Sequence, residues 1–188
     1  MEKERIAIFI DGNNLYHLVK KMFQNHIKIM NFSFKKFIKK ITKNRNLVRT
    51  YYYNAPLDWK KDKQSYAKQQ KFFTKLQKIP NFKLVLCRMQ KVKTGGEIIY
   101  QIKEDDIHLA VDMVKLAYNN AYDTAILVSS DGDFVPAIQT VQQIGKKVEN
   151  IGFETKFSHH LKQECDKFTL IKKYQVIEMI DDFKVSPK

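Results

Sequence analysis

The chain has 188 residues, of which 44% are hydrophobic and 12% aromatic. This length and composition suit a single globular domain over residues 1–188 and exclude an intrinsically disordered chain. No apolar run approaches the roughly 20 residues of a membrane span, and the mixed-charge start of the chain is unlike a signal peptide. We therefore predict a cytoplasmic protein in which Cys87 and Cys165 are buried free thiols.

The charge is distributed unevenly along the chain. The formal net charge is +14, from 34 Lys and Arg against 20 Asp and Glu. Residues 1–96 contain 23 basic and 5 acidic residues, which gives +18, whereas residues 97–188 contain 11 and 15, which gives −4. A cationic half favours a nucleic-acid partner, because Lys and Arg that neutralise phosphates release counterions. The alternative is that Lys-rich helices serve solubility alone.

Strands and helices alternate in the first half of the chain. Residues 6–10 are a continuous apolar pentad, which predicts a strand buried on both faces, and residues 15–19 begin a helix. Apolar residues at helical spacing between Lys pairs predict a basic amphipathic helix at 34–41. The pattern then predicts a strand at 47–53, a second basic helix at 63–78, a strand at 82–89, and a turn at Gly95-Gly96 before a strand at 98–102.

The second half continues this alternation. Asp105 and Asp106 offer an N-cap for a helix, whose predicted buried stripe consists of Ile107, Ala110, Val111, Val114, Ala117 and Tyr118. The next elements are a strand at 124–129, a helix at 135–144 closed by Gly145, a strand at 147–151, a helix at 159–164, a strand at 168–171 and a C-terminal helix within 173–184. The alternation predicts an α/β fold, a three-layer α/β/α sandwich with a mainly parallel central sheet.

Carboxylates follow directly where two of the predicted strands end. Asp11 comes after the first strand, and the strand at 124–129 runs into Ser130-Asp131-Gly132-Asp133. If these strands are neighbours in a parallel sheet, their carboxylates emerge at the same edge, where ligands bind in α/β sheets. Taken alone, the Asp-Gly-Asp stretch is equally consistent with an ordinary turn that contains a capping Asp.

The acidic helix offers further carboxylates to the same place. Asp112 lies on its polar flank in line with Asp105, whereas Asp106 points about 120° away but is freer to turn near the helix start. Crowded like charges are costly unless a cation neutralises them, so the cluster predicts bound Mg²⁺ or Mn²⁺. The predicted metal ligands are Asp11, Asp106, Asp112, Asp131 and Asp133.

A carboxylate-bound metal suits phosphodiester hydrolysis, because it holds phosphate oxygens and lowers the pKa of a bound water. Asn14 is placed to orient a carboxylate or the phosphate, although Asn is also common in a turn after a strand. His159 and His160 have no evident partner, which favours surface or capping positions. The predicted nucleic-acid contacts are Asn13, Lys103, Ser129, Ser130, Lys35, Lys36, Lys39, Lys40 and the exposed Trp59.

Three motifs occur in a fixed order: Asp11-Gly12-Asn13-Asn14, Lys103 to Asp112, and residues 127–134. Together they resemble the NYN domain of the LabA/DUF88 type, a branch of the PIN-like nuclease superfamily, over roughly residues 5–172. The resemblance implies a PIN-like (Rossmannoid) fold and a metal-dependent ribonuclease. By motif it implies catalytic roles for Asp11, Asp112, Asp131 and Asp133, with Asp106 and Asn14 secondary. Glu104 and Ser130 depart from the family pattern, in which Gly is frequent.

The sequence therefore predicts a ribonuclease in which carboxylate-bound Mg²⁺ or Mn²⁺ activates water, acting on single-stranded or structured RNA. A homodimer through the C-terminal helix is also considered. The alternative is a non-catalytic RNA-binding regulatory module. A Toprim-like site fits poorly, because such sites place a Glu after an earlier strand, where this chain has Asp11-Gly12-Asn13-Asn14. A haloacid-dehalogenase-type site fits worse, because Asp11 has no second Asp two residues later.

Overall fold

The computed structural model describes residues 2–24, 26, 28–94 and 97–181, with the backbone alone described for 89–94 and 97–103. The strands are β1 (Arg5–Asp11), β2 (Asn46–Asn54), β3 (Phe82–Leu86), β4 (Arg88–Thr94), β5 (Glu97–Lys103), β6 (Thr124–Val128), β7 (Lys147–Phe153) and β8 (Lys167–Ile171). The helices are α1 (Gly12–Met22), α2 (Phe34–Thr42), α3 (Lys63–Gln77), α4 (Asp105–Tyr118), α5 (Val135–Gln143), α6 (His159–Glu164) and α7 (Lys173–Glu178). Across the described residues, no helix has the length and apolarity needed to cross a membrane.

Six strands form one parallel sheet in the order β3-β2-β1-β6-β7-β8, while β4 and β5 form a separate antiparallel hairpin. The order reverses between β1 and β6, where Ile10 lies opposite Val128. In open α/β sheets, ligands bind in the crevice outside the carboxyl ends of the strands at such a reversal. The two strands that end in Asp11 and in the Ser-Ser-Asp loop are therefore neighbours at this point.

Helices cover both faces of the sheet, which confirms the predicted three-layer α/β/α sandwich. Ile8 and Ile10 of β1 point into a core shared with α1, α2, α3 and α7. Phe9, between them, points into the opposite core with α4, α5 and α6. Because both faces are buried, β1 has no room for alternating polar residues. Cys87 and Cys165 are buried and free, as predicted.

The buried face of α4 differs from the predicted stripe. Ile107, Val111 and Tyr118 are 65%, 55% and 81% exposed, so their predicted burial was wrong. The helix instead buries Leu109 and Met113, which are one turn apart and pack with residues of β1 and α5. The sequence of α4 carries two apolar stripes, and packing on the sheet selects the one with Leu109 and Met113, together with Ala117 of the predicted stripe.

The predicted strand at 82–89 is divided in the structure. β3 ends at Leu86, and the Cys87 N–H still donates to the Asn54 carbonyl at 2.8 Å. Asn54 is the last residue of β2, so the parallel ladder has no further partner, and the chain turns into the β4–β5 hairpin. The predicted turn at Gly95-Gly96 lies outside the described residues.

The C-terminal helix is shorter than the pattern predicted. It ends before Met179, whose carbonyl accepts a hydrogen bond from the Ser33 N–H at 2.6 Å. The Asp181 N–H then donates to the Asn31 carbonyl at 2.9 Å. These bonds draw the chain out of helical geometry and onto the segment before α2. The predicted helix extended to residue 184, and residues 182–188 lie outside the described residues.

The start of α4 is not capped by Asp105 or Asp106, contrary to expectation. The N-cap residue is Glu104, which makes no capping hydrogen bond through its side chain and has φ 78° and ψ −10°. This left-handed conformation costs a non-glycine residue roughly 1–2 kcal/mol. The frequent Gly at this position in sequences of the family pattern thus has a physical reason, and Asp105 becomes the first residue of the helix.

Gly12, the first residue of α1, allows the helix to begin directly against β2. A Cβ on Gly12 would lie 2.5 Å from the Tyr53 carbonyl oxygen and 2.5 Å from Cζ of Tyr52. The carbonyl belongs to a buried strand and cannot yield. We therefore expect Gly12→Ala to lower the free energy of unfolding by about 1–3 kcal/mol or more, measured by urea denaturation.

Gly132→Ala is the matched control for this substitution. A Cβ there would meet nothing closer than the Ser158 Oγ at 3.7 Å, an ordinary contact. The free energy of unfolding should then change by less than about 0.5 kcal/mol. Equal losses for the two variants would contradict a steric role for Gly12.

Candidate metal centre

The hydroxyl of Ser129 joins the ends of β1 and β6. Asp11 is the last residue of β1 and is only 5% exposed. Ser129 Oγ donates to Asp11 Oδ2 at 3.0 Å and accepts from the Asp131 N–H at 3.1 Å. One hydroxyl therefore fixes both the orientation of the Asp11 carboxylate and the path of the loop that carries Asp131.

Asn14 makes a second connection across the same edge. Its N–H donates to Asp11 Oδ1 at 2.9 Å, so Asp11 also caps α1. Its side-chain Oδ1 accepts from both the N–H and the Oγ of Ser130 at 3.1 Å. Asn14 thus holds the start of α1 against the loop after β6, and both oxygens of Asp11 are oriented by hydrogen bonds.

The acidic loop is stabilised from within and from β7. The Asp133 N–H donates to Asp131 Oδ1 at 3.0 Å, which caps a short 3₁₀ helix (Gly132–Phe134). The wholly buried Asn150 donates through Nδ2 to the carbonyls of Leu127 and Ser129 at 3.2 and 3.0 Å. Asn150 was not predicted from the sequence, although an Asn between Val148 and Ile151 is an unusual polar residue for a buried strand.

Three carboxylates converge at this edge of the sheet. Asp11, Asp105 and Asp106 each present an oxygen atom within 4.8 Å of the others. Asp105 is 8% exposed, while Asp106 is exposed at the mouth of the site. From the sequence, Asp105 was predicted only as a cap. The left-handed turn at Glu104 makes Asp105 the first residue of α4 instead, and this turn has no signal in the sequence.

The carboxylates of this cluster resist ionisation. Burial raises the pKa of Asp11 to about 7; the hydrogen bond from Asn14 opposes this rise and the charge of Asp106 adds to it. Burial also raises the pKa of Asp106 to about 6, with further rises from the charges of Asp105, Asp131 and Asp133. The Ser129 hydroxyl, bonded to both Asp11 and the Asp131 N–H, holds the acidic loop beside the cluster of three.

The donor set fits a hard divalent cation. Among the side chains that the structure describes, no Lys or Arg forms an ion pair with Asp11, Asp105 or Asp106. Carboxylate oxygens are the ligands that Mg²⁺ and Mn²⁺ prefer. A bound cation would offset the cost of burying these charges, which raises the pKa values of all three groups, and the repulsion that adds to it at Asp11 and Asp106. The residues present therefore fit the predicted Mg²⁺ or Mn²⁺.

Asp112 lies apart from this cluster. Its Oδ2 accepts a hydrogen bond from the Tyr53 hydroxyl at 3.0 Å. Burial raises the pKa of Tyr53, and the neighbouring Asp112 charge adds to the rise, so Tyr53 stays a donor. Six residues separate Asp112 from Asp106, about 9 Å along the helix axis. The structure thus brings Asp106, and not Asp112, to Asp11.

The predicted nucleic-acid contacts on α2 and near α3 are on the surface. Lys36 and Lys40 form ion pairs with acidic groups of the C-terminal segment at 3.1 and 3.4 Å, whereas Lys35 and Lys39 are exposed. Trp59 is 52% exposed, with the Nζ atoms of Lys60 and Lys63 each 5.9 Å from its ring centroid.

The other predicted contacts lie at the edge of the sheet or outside the description. Ser129 and Ser130 are buried and serve the hydrogen-bond network, and Asn13 is half-buried. The side chain of Lys103 lies outside the described residues. His160 had no evident partner in the sequence. Its Nδ1 would lie 4.0 Å from a Cβ added to Gly132, so His160 stands beside the acidic loop.

We expect Asp106→Asn to weaken Mn²⁺ binding at least about 10-fold, because it removes a charge from the cluster of three. Asp112→Asn should leave the affinity nearly unchanged, since an amide oxygen still accepts the Tyr53 hydrogen bond. Isothermal titration calorimetry of the two variants and the wild type measures the difference. A larger loss for Asp112→Asn would assign the helix-borne ligand to Asp112.

The stability of the metal-free protein should fall as pH rises from about 4 to about 7. Folding raises the pKa of Asp11 from 3.8 to about 7, so the folded state binds more protons than the unfolded state in this window. In EDTA, Asp11→Asn should reduce this slope, to which Asp106 also contributes, and exceed the wild type in unfolding free energy at pH 8 by roughly 2–4 kcal/mol. An unchanged slope in urea denaturation would contradict the assignment.

Comparisons with known proteins agree with this architecture. A solved structure of a protein of unknown function from Vibrio parahaemolyticus is similar, with a TM-score of 0.65 and 26% identity over 90% of this chain and 94% of that one. An uncharacterised protein of Methanocaldococcus jannaschii is 43% identical over 75 residues. That match covers 40% of this chain and only 31% of the relative's length, so the two proteins share a segment.

The family model of the NYN domain matches residues 5–172. The matched range contains the parallel sheet, the strand-order reversal and the cluster of Asp11, Asp105 and Asp106. NYN domains belong to the PIN-like nuclease superfamily. With most of its length matched, the chain belongs to the NYN domain family.

Proposed function

We propose that the protein is a metal-dependent ribonuclease of the LabA/DUF88 type that hydrolyses RNA phosphodiester bonds. The observation that carries the proposal is the cluster of Asp11, Asp105 and Asp106 at the strand-order reversal of an NYN fold. Membership of a nuclease superfamily supports a nucleic-acid substrate. The charge of +18 over residues 1–96 supports a polyanionic one.

The metal would be Mg²⁺ or Mn²⁺, held by Asp11, Asp105 and Asp106, with Asp131 and Asp133 completing the site. When bound, such a cation supplies Lewis-acid stabilisation of the phosphodiester and an acidified water. Asp112, named by the family motif, is proposed to act through Tyr53 on the shape of the site, because it is already engaged there.

The chain's own residues prepare this site before any ligand arrives. Asn14 and Ser129 hold the Asp11 carboxylate in one orientation. The Asp133 N–H donates a hydrogen bond to Oδ1 of Asp131, whereas Oδ2 of Asp131 accepts none from the part of the chain that the structure describes. Oxygen ligands fixed in advance lower the reorganisation needed in the reaction.

In the proposed complex, RNA would lie across the carboxyl edge of the sheet. Asn13 stands at that edge, and Lys103 ends the strand that leads into Glu104 and α4. Lys35 and Lys39 are exposed and supply charge, whereas Lys36 and Lys40 would first have to leave their ion pairs. Trp59 offers an exposed ring on which a base can stack.

A second candidate function is RNA binding without catalysis. The observation that favours it is the engagement of Asp112 with Tyr53, which leaves the cluster without a carboxylate that the family motif includes. Tight, salt-sensitive RNA binding without metal-dependent turnover would support this alternative. Homodimerisation and a cytoplasmic location stay predictions from the sequence.

We expect the wild type to cleave RNA when Mg²⁺ or Mn²⁺ is present and to lose cleavage in EDTA. Asp11→Asn and Asp131→Asn should each lower the cleavage rate at least about 100-fold, because each removes charge from the metal site. Gel analysis of labelled single-stranded and structured RNAs measures the rates.

Asp123→Asn is the matched control for these substitutions. Asp123 precedes β6, at the opposite end of that strand from the site, and pairs with Arg5 at 2.7 Å, so loss of its charge should leave the cleavage rate unchanged. If wild type and Asp11→Asn cleaved equally, or if neither cleaved any RNA with either metal, the ribonuclease proposal would fail. The salt dependence of RNA binding would then decide for or against RNA binding without catalysis.

A further inference from the structure

A cavity of about 480 Å³ is lined in part by Asn13, Tyr16 and Lys20 of α1. Its walls come from α1, α3, the end of β2 and a short 3₁₀ helix (Ile29–Asn31). This volume falls within the range of small-molecule sites in proteins. None of the clustered carboxylates lines this cavity, so the kind of ligand that it suits is inferred from its lining residues.

The inner lining of the cavity is aromatic and aliphatic. Tyr52, Phe72 and Phe73 are buried in the core and line the cavity. Tyr16 and Leu57, each 37% exposed, stand at its mouth. A flat, largely apolar ring system is the kind of group that such walls accommodate, and Tyr16 supplies an accessible ring for stacking.

The mouth of the cavity carries positive charge. Lys20, Lys28 and Lys68 line it and are exposed, and none of the described residues of the lining is acidic. The Nζ atom of Lys20 lies 5.7 Å from the centroid of the Tyr16 ring. The cavity therefore joins an apolar interior to a cationic entrance, which matches a ligand with a flat ring at one end and an anion at the other.

Hydrogen bonds fix the wall of the cavity in place. Gln69 accepts from the Leu57 N–H at 2.8 Å and donates to the Ala55 carbonyl at 3.0 Å. Asn54 donates to the Tyr52 hydroxyl at 3.2 Å. Because the loop between β2 and α3 is braced in this way, the cavity exists without a ligand, which lowers the cost of filling it.

The cavity and the metal cluster share the first turn of α1. Asn13 lines the cavity and lies two residues after Asp11. Tyr52, also in the lining, donates through its hydroxyl to the Gly12 carbonyl at 3.5 Å. A nucleic-acid strand whose phosphate reaches Asp11 is thus one turn of α1 away from the cavity.

We propose that this cavity binds one unpaired nucleotide of the nucleic-acid strand, with its base in the apolar interior and its phosphate among Lys20, Lys28 and Lys68. The inference rests on the proposed function for the identity of the strand. A base in a duplex is paired and stacked, and so cannot enter without being extruded. The cavity would therefore make binding selective for single-stranded RNA.

Filling the cavity tests the proposal. Ser65 lines it, so Ser65→Trp should block it, whereas Thr74→Trp places the same side chain at an exposed position of α3 outside the lining. Binding of a short fluorescent single-stranded RNA is measured by anisotropy in EDTA, where no cleavage occurs. We expect Ser65→Trp to bind at least about ten-fold more weakly than the wild type, Thr74→Trp to bind equally, and a duplex of the same sequence to bind all three alike.

A second pair of variants keeps the test independent of the folding of Ser65→Trp. Tyr16→Ala removes the accessible ring, and Tyr174→Ala removes a ring that is 60% exposed on α7. Only Tyr16→Ala should weaken single-strand binding. A nucleoside monophosphate should compete with the single strand, whereas inorganic phosphate at the same concentration should not. Equal competition by phosphate would reduce the site to a cationic patch and overturn the proposal.

The outcomes separate this proposal from the ribonuclease proposal. Selective single-strand binding that Ser65→Trp abolishes would establish the nucleotide site even if the wild type cleaved no RNA. Conversely, cleavage by the wild type with unchanged single-strand binding in Ser65→Trp and Tyr16→Ala would overturn the nucleotide site and leave the ribonuclease intact.

Discussion

The parallel pairing of β1 with β6 is the constraint on which the site depends. With Ile10 opposite Val128, the next residue on each strand reaches the carboxyl edge together, and the Ser129 hydroxyl can bind the Asp11 carboxylate at 3.0 Å. The two strands are far apart in the chain, so this contact forms only when the sheet is complete. Every other part of the site, including the acidic loop and the start of α4, is positioned relative to that bond.

The edge of the sheet combines groups that oppose folding with others that compensate. A buried carboxylate such as Asp11 is unfavourable when charged, and Asp105 beside it adds repulsion. Asn14, Ser129 and Asn150 offset part of this cost through hydrogen bonds to the carboxylate and to the backbone around it. Local choices that conflict with stability are expected at functional sites, where a ligand supplies the missing interaction.

Local signals determined how much of this could be predicted. The apolar runs of β1 and β6, ending in Asp11 and Asp131, were identified because buried strands and their polar ends are short-range patterns. The rotation of α4 about its axis was not identified, because Val111 and Met113 are equally good candidates for burial until the helix packs on the sheet. The cavity had no local signal at all: its lining is drawn from α1, β2 and α3, and only the tertiary structure assembles them.

The left-handed backbone at Glu104 has a consequence for how this sequence evolved. Glutamate and glycine codons differ by a single nucleotide, so a mutation that removes the unfavourable φ of 78° is always one step away. A chain that keeps glutamate there either tolerates roughly 1 kcal/mol of lost stability or benefits from a carboxylate and a stiffer backbone before α4. Position 104 therefore carries a backbone cost that a single-nucleotide change to a glycine codon would remove, together with the carboxylate.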